Sequence, residues 1–130
     1  MAESGWLLVS FFFAGPVARR DVAGWSHLVA TADWINHAIL TREEVAGGMR
    51  DLSVRGLLEE RDERIRLTRR AVRALHAAYG ERKRMAVLKL WDVGEELIAA
   101  QEKGAKPVRP VSRPLFERAI KAYLDRQTHR

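Results

Sequence analysis

Cysteine is absent from this chain of 130 residues. Without thiols the protein forms neither disulfide bonds nor thiolate metal sites, and a reducing cytoplasm is the simplest compartment for it. Histidine is scarce, and no histidine stands at a spacing typical of metal ligands or a catalytic pair. Asp33 and His37 lie one helical turn apart, but two ligands do not make a metal site, and we expect Asn36 and His37 to satisfy the C-terminal end of the helix. We therefore expect no cofactor and no bound metal.

Long apolar runs are absent as well. The most apolar stretch, Trp6 to Ala14, is too short to span a bilayer, and the residues before it include Glu3 but no Lys or Arg, which a secretory signal requires. We expect no membrane partner. Within residues 1–20 the sequence instead predicts a short helix that is apolar on all sides, with Ser4 as its N-cap, and that is buried by the core or by a partner subunit.

Sequence patterns typical of enzymes are also missing. There is no glycine loop that could cradle a phosphate and no nucleophile at a recognisable spacing from a base. Gly47 and Gly48 fall inside a predicted helix, and the tryptophans and phenylalanines are typical of a core. We expect that the protein is not an enzyme, and the sequence shows no small-molecule ligand.

Charge is unevenly distributed along the chain, whose formal net charge is +6. Residues 61–84 hold nine basic and three acidic side chains, and residues 103–130 hold eight basic and two acidic ones. Residues 1–60 and 85–102 are each net acidic. Two separate basic regions therefore exist, and an anionic partner would be met there.

A helix with clear start and stop signals lies near the middle of the chain. Thr41 and Glu44 have the spacing of a capping box, which predicts that a helix begins at Arg42. Gly56 can adopt the left-handed conformation that ends it, giving a helix from Arg42 to Arg55. Its apolar residues recur at helical spacing. These residues are Val45, Met49 and Leu52.

A two-stranded hairpin is predicted directly after this helix. Leu57 and Leu58 open a run that becomes charged at residues 59–64 and then alternates, with Ile65 and Leu67 on one face. Alternation of this kind is typical of strands that are half buried.

The rest of the chain reads as helices and one linker, all within a single domain covering residues 1–130. An amphipathic helix capped by Asp21 runs to about Asn36. After Thr68 an apolar stripe predicts one long helix over residues 69–102, bent at most at Gly80. A proline-rich linker over residues 103–114 leads to an amphipathic helix over residues 115–128, which we expect to dock on the long helix.

The segment from Asp21 to Thr68 resembles a winged helix-turn-helix domain, in the manner of dimeric transcriptional regulators. The resemblance implies a mainly α fold with a small β-hairpin wing, followed by a long helix and a C-terminal helix. It also implies a homodimer and binding to double-stranded DNA, with the helix after Thr41 in the major groove and the hairpin on the backbone or minor groove. The DNA-binding residues would be Arg42, Arg50, Arg55, Arg61, Arg64, Arg66, Arg69 and Arg70. The dimer would form through Leu90, Val93 and Leu97.

The supposed recognition helix departs from this pattern in its charge. Its predicted outward positions hold Arg50 against the carboxylates of Glu43 and Asp51, which is a poor surface for phosphate. A second hypothesis therefore stays open, in which the winged helix is a protein–protein interaction or dimerisation module that does not contact DNA.

Overall fold

Helices dominate the chain, and a small antiparallel sheet completes it. The computed structural model describes residues 2–81 and 87–128. Within these residues the helices are α1 (Ala2–Ala14), α2 (Val22–Asn36), α3 (Arg42–Val54), α4 (Arg69–Glu81), α5 (Val87–Ala100) and α6 (Arg113–Thr128). The strands are β1 (Val17–Ala18), β2 (Leu58–Arg61) and β3 (Arg64–Leu67). The predicted fold class, mainly α with a small β-hairpin, is confirmed at this level.

Helix α1 lies at the centre of the molecule, as its apolar sequence demands. It packs against α2, α3, α5 and β3, and the residues from Trp6 to Phe11 are buried. The prediction of a buried helix is confirmed, and all of these packing partners belong to the same chain. The predicted N-cap is wrong: α1 begins at Ala2, and the Ser4 hydroxyl donates a hydrogen bond of 2.7 Å to the carboxylate of Asp51 on α3.

Strand β1 was not foreseen in the sequence. Gly15, with φ of 82°, ends α1 together with Pro16, and the chain then pairs Val17 with Ile65 of β3. The sheet order is β1-β3-β2, so β3 is the central strand. Two residues are too few to show the alternation by which strands are recognised.

Helices α2 and α3 follow their sequence signals closely. Asp21 caps α2, and Thr41 and Glu44 form the complete capping box of α3. Gly56 has φ of 73° directly after α3, as predicted, and β2 and β3 then form the expected hairpin. Capping depends on neighbours in the sequence, so it is independent of tertiary packing.

The single long helix predicted over residues 69–102 is replaced by two helices in the described residues. Helix α4 continues through Gly80 to Glu81, and α5 begins at Val87 and packs against both α4 and α1. Residues 82–86, which include Lys83 of the predicted stripe, lie outside the described residues. The two halves of a straight helix cannot contact each other, yet α4 and α5 do. The apolar stripe therefore lies on the faces of two helices that pack together.

The proline-rich linker runs along α3. Near the C-terminal end of that helix Val108 N–H donates to the Ser53 hydroxyl, and near its N-terminal end Arg42 donates to the carbonyl of Val111. Val111 is fully buried. The linker is therefore an ordered strap that binds one side of α3.

Helix α6 docks on α2, with a smaller contact to α3, so the predicted docking on the long helix is wrong. Phe116 packs edge-on against Trp25 of α2, with ring centroids 6.4 Å apart. The Tyr123 hydroxyl donates to the carboxylate of Asp33. The strap along α3 carries the chain to this side of the molecule, a long-range effect that leaves no mark in the sequence of α6.

Candidate nucleic-acid interface

The outer face of α3 is an open stripe of four positions one turn apart. Glu43 and Arg50 are exposed, and Gly47 and Val54 are partly exposed. A Cβ added at Gly47 would meet no atom within 4 Å, so nothing covers the middle of the stripe. The guanidinium of Arg50 forms no hydrogen bond or ion pair with any described residue. An open surface that carries this unpaired guanidinium therefore lies along α3 in the described part of the chain.

Glu43 and Asp51, the two carboxylates that argue in the sequence against a phosphate-binding surface on α3, are both paired with arginines. Glu43 pairs with Arg113 of α6 at 2.5 Å, and this hydrogen bond lowers the pKa of the Glu43 carboxyl. Asp51 pairs with Arg55 at 2.8 Å. Burial acts to raise the pKa of Asp51, but hydrogen bonds from Arg55 and Ser4 outweigh it and leave that pKa lowered. Glu43 and Asp51 thus each have a cationic partner within the chain.

Two of the predicted DNA-binding arginines are occupied by internal contacts. Both Nε and Nη2 of Arg42 donate to the carbonyl of Val111 at 3.1 Å, which fixes the linker to α3. Arg55 donates to the carbonyls of Ile98 and Gln101 at the end of α5. Unpaired carbonyls at a helix end attract such donors. Arg42 and Arg55 therefore hold the fold together and present little charge outward.

The hairpin places its predicted arginines on one face. Arg61 lies directly opposite Arg64, and Arg66 lies directly opposite Glu59. Residues directly opposite in an antiparallel pair share a face, and like charges in such a pair are destabilising. Arg66 is neutralised by Glu59 at 3.0 Å, whereas Arg61 and Arg64 are exposed and form no ion pair with any described residue.

The tip of the hairpin carries charge of the opposite sign. Asp62 and Glu63 form the turn with φ of 54° and 61°, and both are exposed. Positive φ at both central residues is the two-residue turn that matches the twist of a hairpin. The tip therefore presents two arginines and two carboxylates side by side.

The two remaining predicted arginines lie at the start of α4. The Arg69 side chain is exposed and forms no hydrogen bond with any described residue, while Arg70 donates weakly to the carbonyls of Arg55 and Gly56. The structure thus separates the eight predicted arginines into a group with unpaired side chains and a group with engaged ones. The side chains of Arg50, Arg61, Arg64 and Arg69 have no partner among the described residues. Arg42, Arg55, Arg66 and Arg70 are engaged.

A further basic cluster lies beside the linker and was missed in the sequence. Arg19 pairs with Glu60 at 2.8 Å and donates to the carbonyls of Arg109 and Pro110. The hydrogen bond from Arg19 lowers the pKa of Glu60. Arg20 and Arg109 line an open cleft with Arg19. These residues come from opposite ends of the chain, and only the net charge of residues 103–130 hinted at a basic surface there.

The predicted dimerisation residues face the interior of the chain. Leu90 is fully buried, and Val93 and Leu97 are partly buried against the same core. Helix α1 covers α5, and Trp6 of α1 stacks on Trp91 with ring centroids 6.3 Å apart. The α5 part of the stripe that motivated the dimer therefore packs within one chain, whereas Val72 and Tyr79 of α4 are each 39% exposed.

Comparison with protein-family models, curated proteins and solved structures finds no match to this chain. Within the described ranges, no group of three or more His, Cys, Asp or Glu residues is arranged to hold a metal ion. No helix among the described residues is long and apolar enough to cross a bilayer.

Proposed function

We propose that this protein is a winged-helix DNA-binding protein of the transcriptional-regulator type. In this proposal α3 enters the major groove and the hairpin contacts phosphates. The order of elements supports it, because a capped helix is followed at once by a hairpin whose inner strand pairs with a third short strand. The observation that carries the proposal is the open stripe on α3, where the carboxylate of Glu43 is paired and the guanidinium of Arg50 has no partner among the described residues.

Arg50 would supply sequence preference, and the hairpin would supply affinity. A guanidinium on a helix in the major groove can donate two hydrogen bonds to the N7 and O6 atoms of guanine. Gly47, one turn away, would let the backbone approach the bases. Arg61 and Arg64 would each neutralise a phosphate, which would relieve the repulsion between them.

A second candidate function is protein binding without DNA contact. The hairpin tip favours it, because Asp62 and Glu63 would be brought toward phosphates together with Arg61 and Arg64. Because Arg42 and Arg55 are engaged, Arg50 is the one cation of α3 whose side chain has no partner among the described residues. Such a mixed surface suits a polar protein interface as well as it suits DNA.

A salt titration of binding to labelled duplexes tests the proposal. Random and in vitro selected duplexes are compared by fluorescence anisotropy. Each phosphate contact contributes about 0.9 to the slope of log K against log salt, so Arg61→Ala combined with Arg64→Ala should reduce that slope by about 1.8 on both duplexes. Arg50→Ala should remove the difference between selected and random duplexes and reduce the slope by less.

The matched control removes two exposed cations from α6 through Arg118→Ala and Lys121→Ala, and it should leave slope and preference nearly unchanged. Selection that yields no preferred sequence, with binding lost near physiological salt, would support the interaction module. Arg66 is not used in the test because its removal would expose the charge of Glu59.

The homodimer stays a prediction, which now requires a surface other than the face of α5 that carries Leu90. Sedimentation velocity at micromolar concentration would measure the mass in solution. A dimer that persists in Lys89→Glu, an exposed substitution on α5, would place the interface away from the outer side of that helix. A monomer would remove the prediction, and DNA binding would then involve a single copy of α3.

A further inference from the structure

A cleft of about 860 Å³ lies where three segments of the chain meet. Its walls come from the end of α1, from the arginine-bearing face of the hairpin and from one side of α4. We name it the α1–hairpin–α4 cleft. Its volume lies within the range of pockets that hold small organic ligands.

One wall of the cleft is apolar and partly aromatic. Phe11 and Phe12 of α1 line it together with Leu67 of β3 and Val72 of α4. Val72 remains 39% exposed although it is aliphatic, and Phe12 is only partly buried. A ligand with an apolar body would remove this surface from water, which is favourable in proportion to the area covered.

The same cleft is also lined by basic side chains, which lie beside the apolar ones on the hairpin and α4. Arg61 contributes from the hairpin, and Arg69 and Arg73 contribute from α4. Arg69 and Arg73 are four residues apart and therefore lie on the same side of the helix, one turn from each other. All three are exposed and form no ion pair with any described residue. The lining also includes Arg66 and one carboxylate, Glu59, which pair with one another.

Three uncompensated guanidinium groups beside an apolar wall define the kind of ligand that fits. We propose that the α1–hairpin–α4 cleft binds a small organic anion with an aromatic body, of the class of aromatic carboxylates and sulfonates. Guanidinium groups donate paired hydrogen bonds to such anionic groups and also stack on aromatic rings. This assigns a ligand where the sequence shows none, and it holds whether or not the protein binds DNA.

Two simpler occupants fit less well. A free inorganic anion would satisfy the arginines but leave the wall of Phe12 and Val72 in water. A nucleic-acid backbone would likewise reach Arg61 and gain nothing from the apolar wall. The combination of apolar and basic side chains in one cleft is what an amphipathic anion uses, because its two halves are recognised by different chemistry.

The fluorescent anion 1-anilinonaphthalene-8-sulfonate is a suitable probe of the free protein. We expect saturable binding with one site per chain, and at least tenfold weaker binding after Arg69→Ala combined with Arg73→Ala, which removes two charge-assisted hydrogen bonds. N-phenyl-1-naphthylamine, the neutral analogue without the sulfonate, should bind at least tenfold more weakly than the anion. Val72→Ser should weaken the anion several-fold by making the apolar wall polar.

The control pair Arg118→Ala and Lys121→Ala removes two exposed cations from α6 and should leave probe affinity unchanged. Circular dichroism of each variant establishes that it is folded. Equal loss in the control pair, or equal binding of the neutral analogue, would overturn the proposal. The proposal would also be overturned if sulfate displaced the probe as effectively as 2-naphthoate does at matched ionic strength. The cleft would then recognise only the negative charge of its ligand.

Discussion

The contact between α1 and α5 can be tested by making the same small substitution at two glycines. Gly5 lies in α1, where a Cβ would come within 2.6 Å of the Glu95 side-chain carboxyl carbon and 2.7 Å of Trp91 Nε1. Gly47 lies in α3, where a Cβ would meet nothing within 4 Å. Both positions are helical, so the intrinsic effect of Gly→Ala is similar and favourable at each.

The two substitutions should change the free energy of unfolding in opposite directions. Gly47→Ala should stabilise the protein by about 0.5–1 kcal/mol, since helix propensity is the only effect there. Gly5→Ala gains up to a similar amount but forces Glu95 and the Trp91 ring apart from α1. Overpacking of this kind costs about 1–3 kcal/mol, and the 3.0 Å hydrogen bond between Trp91 and Glu95 would also be disturbed. We therefore expect a net destabilisation of about 1–2 kcal/mol.

Urea unfolding followed by circular dichroism measures both effects in the same buffer. For a domain of this size 1 kcal/mol corresponds to roughly 3–5 °C in Tm, so thermal unfolding provides an independent check. The two variants should differ by about 1.5–3 kcal/mol with unchanged m-values. If Gly5→Ala stabilised the protein as Gly47→Ala does, α5 would not lie against α1, and its apolar face would again be available to a second chain.

Three further predictions concern single side chains. Asp51→Asn should flatten the acid side of the plot of unfolding free energy against pH. The folded pKa of the Asp51 carboxyl is lowered, so this carboxyl stabilises the protein above its unfolded pKa of about 3.9, and the contribution is lost as pH falls. Unfolding free energies measured from pH 2 to 7 would show the difference. Leu90→Asp should destabilise the monomer by several kcal/mol, since Leu90 is fully buried; an unchanged melting temperature would contradict its burial. Thr41→Ala should cost about 1 kcal/mol through loss of the α3 cap, measured by urea unfolding against Thr31→Ala as control.

Sequence reasoning was most accurate where structure is set by near neighbours. The cap at Thr41, the left-handed Gly56 and the alternation of Ile65 and Leu67 each involve residues within a few positions of one another. These signals act before any tertiary contact forms, so they survive in the final fold. They placed α2, α3 and the hairpin correctly.

The errors arose where packing decides between equivalent local patterns. An apolar stripe is compatible with one long helix or with two packed helices. Which of the two forms depends on tertiary packing, because α5 packs against α1 as well as against α4. The same is true of α6, whose partner is determined by the path of the linker over α3. Among the eight predicted arginines, the sequence could not separate Arg55, which reaches α5, from Arg50, whose side chain has no partner among the described residues. The cleft escaped notice because its walls come from three separated segments.

The central position of α1 also has a consequence for how the chain reaches its fold. Trp6 stacks on Trp91, which lies 85 positions further along the chain, and the other partners of α1 are spread over the residues between. Contacts so distant in sequence form slowly because long loops must close first. During synthesis the face of α1 that packs on α5 stays uncovered until α5 has been made, and such apolar surfaces bind chaperones or one another. A segment that ends as a well protected part of the molecule is therefore an aggregation risk before folding is complete.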